Sequence, residues 1–240
     1  WGHTLRSTEM DERQPQAPLP RFAPPRRSVS VLLCAALALA APAQAGSSAT
    51  PEPPLPRADL LERALAAYRQ LAASGRVANP VLTVIDYSLP SSLRRLWVLE
   101  PDGLRVLVHA HVAHGRGSSD PLDPARAVRF GNEPESHRTS LGTFLTGSTY
   151  TGQHGLSLEL DGLEPGVNDR ARARRIVIHP AAYVSAAFRE RSGGWVGRSF
   201  GCPALAPEVA PAVIERIRDG SVLFADAPGA EPPRHAGAAA

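Results

Sequence analysis

Lysine is absent from this 240-residue chain, so all 26 basic residues are arginine. Aromatic residues make up 5%, methionine occurs once and cysteine twice. The lysine gap, with abundant Ala, Arg and Pro, reflects a GC-rich genome rather than a function. No apolar run is long enough to span a bilayer as a helix. The longest, Val29 to Ala41, has about 13 residues against the roughly 20 needed. Charge of one sign is lacking too, since 23 acids nearly offset the bases and leave +3. That balance argues against nucleic acid as a partner. Hydrophobic residues at 43% and charged residues at 20% are ordinary for a globular protein and exclude a wholly disordered or collagen-like chain.

The apolar run carries its own meaning. Arg21, Arg26 and Arg27 precede it, and Ala43 and Ala45 follow in a small-x-small pattern. Basic, apolar, then cleavable is the order of a secretory signal. Residues 1–45 therefore read as a signal peptide with its preceding segment. The product is expected to be exported, periplasmic or wall-associated, without stable membrane insertion after cleavage. Cleavage after Ala45 removes five arginines and three acids, and lowers the net charge from +3 to +1. It also removes Cys34. The mature chain keeps one cysteine, Cys202, and cannot form an internal disulfide. A lone thiol in an oxidising compartment is either buried and inert or kept for its reactivity.

Residues 46–58 read as a Pro/Ser/Ala-rich linker, 59–226 as one domain and 227–240 as a disordered tail. A helix is expected over 59–74, with Asp59 and Glu62 as a capping box and Gly75 as its stop. Val81–Tyr87, Arg94–Glu100 and Leu104–Val112 read as consecutive antiparallel strands. Leu156–Leu160, Arg175–His179 and Ser221–Ala225 are further strands, and 181–191 and 208–219 further helices. The fold class is mainly β with peripheral helices. The polar, Gly/Pro-rich stretch 115–140 is long enough to be functional or mobile.

The sharpest chemical feature is Gly197-Arg198-Ser199-Phe200-Gly201-Cys202-Pro203. Glycines leave room for a tight turn and a ligand. A thiol between such a turn and a helix start can have backbone N–H groups aimed at it, which lower its pKa and can hold an oxyanion. His179 ends the apolar run Ile176-Val177-Ile178, 23 residues before Cys202, and is the first candidate for a base. Ser199 and Gly201 are placed beside the nucleophile, the one as a hydrogen-bonding group and the other as an oxyanion amide. His154, with Tyr150, is a reserve catalytic or substrate-contacting residue, Arg198 is a candidate contact for a peptide carboxylate, and His114 either lines the cleft as a substrate contact or packs structurally. No cofactor is called for.

A strand ending Ile-His, followed about twenty residues later by Ser-x-Gly-Cys, resembles the L,D-transpeptidase catalytic-domain (YkuD-like) family. The segments Ser140–Phe144, Tyr150–Gly155 and His111–Gly117 also resemble its branch with an aromatic residue before Gly and a Pro after Cys. The resemblance implies a β-rich catalytic fold, peptidoglycan stem peptides as partners, Cys202 as nucleophile, His179 as base, and a backbone carbonyl just after the histidine to orient its ring. Transpeptidase and L,D-carboxypeptidase activity both fit. Phe200 stands where the common motif has a second histidine, and the spacing of 23 is longer than usual.

Two other readings compete. Gly197-x-Ser199-x-Gly201 matches the nucleophile elbow of serine hydrolases, but Ser192-Gly193-Gly194-Trp195 makes a poor strand before it and the only later histidine is His235. His109, His111 and His114 have a zinc-like spacing, without the acid such hydrolases add.

Overall fold

The computed structural model describes residues 52–229, so the expected signal segment and most of the expected tail lie outside the described residues. In chain order the elements are α1 (Ala58–Ala73), β1 (Leu82–Asp86), β2 (Leu96–Glu100), β3 (Arg105–Ala110), β4 (Gly142–Gly152), β5 (Gly155–Gly162), β6 (Val177–Pro180), α2 (Ala186–Ser192), β7 (Ala204–Leu205), α3 (Ala210–Ile217) and β8 (Val222–Asp226). The strands form one mixed sheet in the order β3-β2-β1-β8-β4-β5-β6-β7. The fold is mainly β with peripheral helices. As the sequence predicts, β1, β2 and β3 pair antiparallel in succession.

Alternation decides which side chains meet on each face. Leu82 and Val84 of β1, Trp97 and Leu99 of β2 and Val222 of β8 pack on one face against Leu60, Leu61, Ala64 and Leu65 of α1. Ile85, Leu96, Val98 and Leu223 pack on the other, with Val213, Ile214 and Ile217 of α3. All five residues of β1 are buried because both faces of the sheet are covered there.

The boundary signals hold unevenly. Helix α1 ends as expected: Gly75, at φ +71°, donates to Ala72 O and Arg76 to Leu71 O, both at 3.0 Å, a Schellman closure. The expected capping box does not form. The cap residue is Arg57, no side chain caps the helix, and Asp59 pairs with Arg57 and Arg63 instead. The end of the expected linker is docked: Trp97 Nε1 donates to Pro54 O at 2.7 Å, and Arg57 Nε reaches the buried Asp86 at 2.9 Å. Ala227, in the expected tail, is buried in the core. Helix α3 starts at Ala210 rather than 208, with Pro211 in its first turn. Strand β4 has no counterpart in the sequence reading.

The stretch 115–140 is a fastened loop. Gly115 N donates to Thr139 Oγ1 and Thr139 N to Ser118 Oγ, both at 2.9 Å. Arg174 reaches across to Gly131 O at 3.0 Å and Arg138 O at 2.7 Å.

Candidate active site

Strand β6 holds His179 and runs parallel to β7, in a register that sets His179 opposite Ala204, two residues after Cys202. A parallel pair needs a crossover of a dozen or more residues. Here the crossover is a 3₁₀ turn at Ala182–Val184 followed by α2, capped by Ser185 accepting from Phe188 N at 3.3 Å. The long spacing between His179 and Cys202 is the length of that connection.

Cys202 and His179 line one cleft of about 600 Å³, together with Tyr150, His154, Arg198 and Ser199. His179 is 4% exposed, and its Nδ1 lies 2.9 Å from Pro180 O. A carbonyl can only accept, so Nδ1 carries the proton and Nε2 is left with its lone pair. The carbonyl expected to orient the ring is therefore in place, and the fixed φ of Pro180 does not prevent it. His154 stacks on His179 with ring centroids 4.6 Å apart. Burial chiefly pushes the His179 pKa down; the Pro180 hydrogen bond opposes this and the His154 charge adds to it.

The Cys202 thiol is held up, not down. Burial raises its pKa, against a backbone hydrogen bond from Val177 and the Arg174 charge, which lower it. This corrects the expectation of a helix start aimed at the sulfur: strand β7 follows Pro203, and α3 begins only at Ala210. The thiol donates to Arg175 O at 3.6 Å.

Ser199 is committed within its own loop. Its hydroxyl donates to Cys202 O at 2.7 Å and accepts from Gly201 N at 3.0 Å. Its backbone joins the fastened loop, with Ser199 N donating to His114 O at 3.0 Å. The Gly201 amide is thus engaged by Ser199, while Cys202 N stands next to it at the sulfur. Gly201 sits at φ +121°, and a Cβ there would lie 2.8 Å from Arg138 O. Arg198 is exposed at the cleft with its guanidinium 5.9 Å from the Trp195 ring centroid, and Tyr150 and His154 are exposed in the same lining.

His114 is the exception among the expected contacts. It is fully buried away from the cleft. Arg95, which can only donate, reaches its Nδ1 at 2.8 Å, so Nε2–H donates to Ser119 Oγ at 3.0 Å. Burial, with the Arg95 and Arg198 charges, holds its pKa down at about 3. The zinc-like trio is also dispersed: His109 stacks on Trp97 at 4.7 Å and His111 Nδ1 faces Ser91 O at 3.3 Å. Among the described residues no three His, Cys, Asp or Glu groups gather in a metal-binding set.

Reading the sequence missed Arg174, Arg175 and Tyr183 in the cleft wall. The signal available was the run Arg170-x-Arg172-x-Arg174-Arg175 just before β6. Phe200, 63% exposed, fills the place of the missing second histidine and lies between His137, at 4.7 Å, and the Arg116 guanidinium, at 4.4 Å.

Residues 55–225 match the L,D-transpeptidase catalytic domain family over most of the chain, and the chain belongs to that family. Among solved structures it is similar to an L,D-transpeptidase from Mycobacterium smegmatis (17% identity, 61% of this chain and 58% of that one, TM-score 0.35). It is also similar to L,D-transpeptidase 1 of Mycobacterium tuberculosis (13%, 61% and 62%, 0.34) and an L,D-transpeptidase from Xylanimonas cellulosilytica (12%, 66% and 68%, 0.35). The chain spans under two thirds of the length of the two mycobacterial structures. Among curated proteins none matches.

Proposed function

We propose that the protein is an exported peptidoglycan-remodelling acyltransferase that cleaves stem tetrapeptides through a thioester on Cys202. The observation that carries this reading is the shared cleft of Cys202 and a buried His179 whose tautomer leaves Nε2 free to take a proton. The raised thiol and the lowered imidazole favour a neutral pair at rest. Proton transfer then accompanies attack: the thiol proton passes to His179 Nε2 as sulfur bonds to the carbonyl carbon of the third stem residue. The oxyanion is held by Cys202 N–H, since Ser199 already occupies the Gly201 amide. Ser199 and Gly201 shape the turn that presents this donor. Collapse breaks the amide bond, and the departing D-Ala amine takes the proton from His179.

An acceptor amine or water then attacks the thioester carbon, gives its proton to His179, and displaces the sulfur, which recovers it. The amine yields a cross-link, and water yields the carboxypeptidase product. Tyr150, His154 and Arg198 line the path of the stem, with Arg198 suited to a carboxylate. No step calls for a cofactor. The signal-peptide pattern in residues 1–45 supports export, and no helix among the described residues is long and apolar enough to cross a membrane.

Incubation with a tetrapeptide muropeptide or a carbapenem, followed by intact-protein mass measurement, tests the reading. The acyl mass is expected on wild type and absent from Cys202→Ala, with tetrapeptide turnover lost by several orders of magnitude. A folded Cys202→Ala that still trims or cross-links at near wild-type rates would overturn it.

A further inference from the structure

Arg174 stands in the cleft wall between two parts of the molecule and has no part in the reaction as written above. Its Nη1 donates to Gly131 O at 3.0 Å and to Ser140 Oγ at 2.7 Å. Its Nη2 donates to Arg138 O at 2.7 Å and to Ser136 Oγ at 3.4 Å. All four partners lie in the fastened loop, and all are neutral oxygens. No carboxylate among the described residues pairs with Arg174, and Glu133 and Glu135 act on it only at longer range. On its other side Nη2 lies against the nucleophile turn, where a Cβ on Gly201 would be 3.3 Å from it. Arg174 is half-buried, whereas Arg175 and Arg198 in the same lining are exposed. Water and salt screen the exposed pair, and a partly buried charge is screened less. The loop thus holds an uncancelled positive charge against the residue before the sulfur.

We propose that Arg174 is a positioning residue for Cys202: fixed by the loop, its guanidinium stabilises negative charge on the sulfur at each step that places it there. The inference rests on the acyl-enzyme reading above. Sulfur gains negative charge twice in that reaction. In acylation the thiol proton passes to His179 Nε2 while a sulfur electron pair forms the bond to the carbonyl carbon. In resolution the carbon–sulfur bond breaks, its electron pair returns to sulfur, and a proton follows from His179. Burial makes a charged sulfur costly, and a nearby cation offsets that cost in both steps. The bonds to the loop matter because a charge already fixed in place needs no rearrangement as the sulfur ionises. The loop therefore bears on catalysis through Arg174, although it supplies no group to the substrate in the proposed reaction.

The test is the rate at which iodoacetamide alkylates Cys202 as pH is varied, read by mass on the Cys202 peptide, with tetrapeptide turnover measured beside it. The thiolate is the species alkylated. Arg174→Gln is expected to slow alkylation at pH 7 by about three- to tenfold, to move the rate profile to higher pH, and to lower kcat at least as far. Arg174→Lys keeps the charge but loses the fork that reaches several oxygens at once. Its thermal midpoint should fall while its alkylation rate stays within about twofold of wild type. Ser136→Asp is a second route, because it sets a carboxylate beside Nη2 at a half-buried position and leaves the bonds to Gly131 O and Arg138 O in place. It should slow alkylation in the same direction even where Arg174→Gln does not fold. Tyr150, His154, Arg175, His179, Tyr183 and Arg198 share the cleft and are unchanged in every variant, so differences between the profiles report Arg174. A folded Arg174→Gln with the wild-type profile, equal shifts in the Gln and Lys variants, or an unslowed Ser136→Asp would each make Arg174 a structural tie alone and overturn the proposal. A wild type that forms no Cys202 adduct with a tetrapeptide overturns the acyl-enzyme reading instead.

Discussion

At the scale of single residues, the two central side chains are pushed away from their charged forms by the same cause. Burial raises the Cys202 thiol and lowers the His179 imidazole. In the proposed reaction His179 must be neutral to accept a proton, so kcat/KM should rise with pH through its pKa, which lies below the ordinary histidine value of about 6.5. The stacked His154 adds a like charge that pushes in the same direction. Replacing it with glutamine removes that repulsion. In His154→Gln the acid limb of the kcat/KM profile should therefore move to higher pH; a limb that stays or moves lower would show that the stack does not tune the base. Cys202 and His179 stood out in the sequence because the lone thiol of the expected mature chain and a strand-end histidine are local signals, and the fold brings the two into one cleft. The direction of the thiol's shift was not legible, because it depends on how deeply the turn is packed and on Arg174, which arrives from another segment.

At the scale of elements, strands with dense branched apolar residues were readable and β4 was not. Its sequence, GTFLTGSTYTG, is small and hydroxyl-rich, and its far half is largely exposed. It becomes a strand by pairing: β8 takes one end, β5 runs along its length, and a register shift falls between Thr146 and Thr149. The step from β6 to β7 was half legible. The sequence announced a helix between His179 and Cys202, but only the parallel register makes that helix a crossover and brings the cysteine turn beside β6. That turn depends on close backbone approach at Gly201, where positive φ and the neighbouring Arg138 carbonyl both exclude a side chain. Gly103, in the β2–β3 turn, has φ +90° but open space around it. Gly201→Ala should therefore lower the thermal midpoint further than Gly103→Ala. The second carries backbone strain of about 1 kcal/mol, and the first adds a steric clash that displaces the loop. Equal losses in paired melting curves would show that packing at Gly201 is not what fixes the turn.

At the scale of the whole molecule, the His-x-His-x-x-His stretch shows why spacing alone misleads. The three rings leave the chain close together and end on different partners, because the loop after β3 turns His114 inward to Arg95. Arg95 is fully buried and is satisfied by Leu89 O, Val112 O and the His114 ring, with its guanidinium 5.0 Å from the Tyr87 ring centroid. This polar cluster ties the β1–β2 connection to the loop that carries Ser119, and it makes the fold sensitive to acid. His114 titrates at about 3 when folded and near 6.5 when unfolded. Its folded pKa is the depressed one, so its contribution is complete above about pH 6.5 and is lost as pH falls toward 3, at up to about 1.4 kcal/mol per pH unit. His179, lowered by burial as well, acts in the same direction. The urea midpoint should accordingly fall between pH 6.5 and pH 4. In His114→Gln the amide can still accept from Arg95 and donate to Ser119 but cannot take up a proton, so the same acid decline should be shallower by close to one proton's slope. If the variant and the wild type lose stability in parallel over that range, the buried His114 is not the group that couples folding to pH.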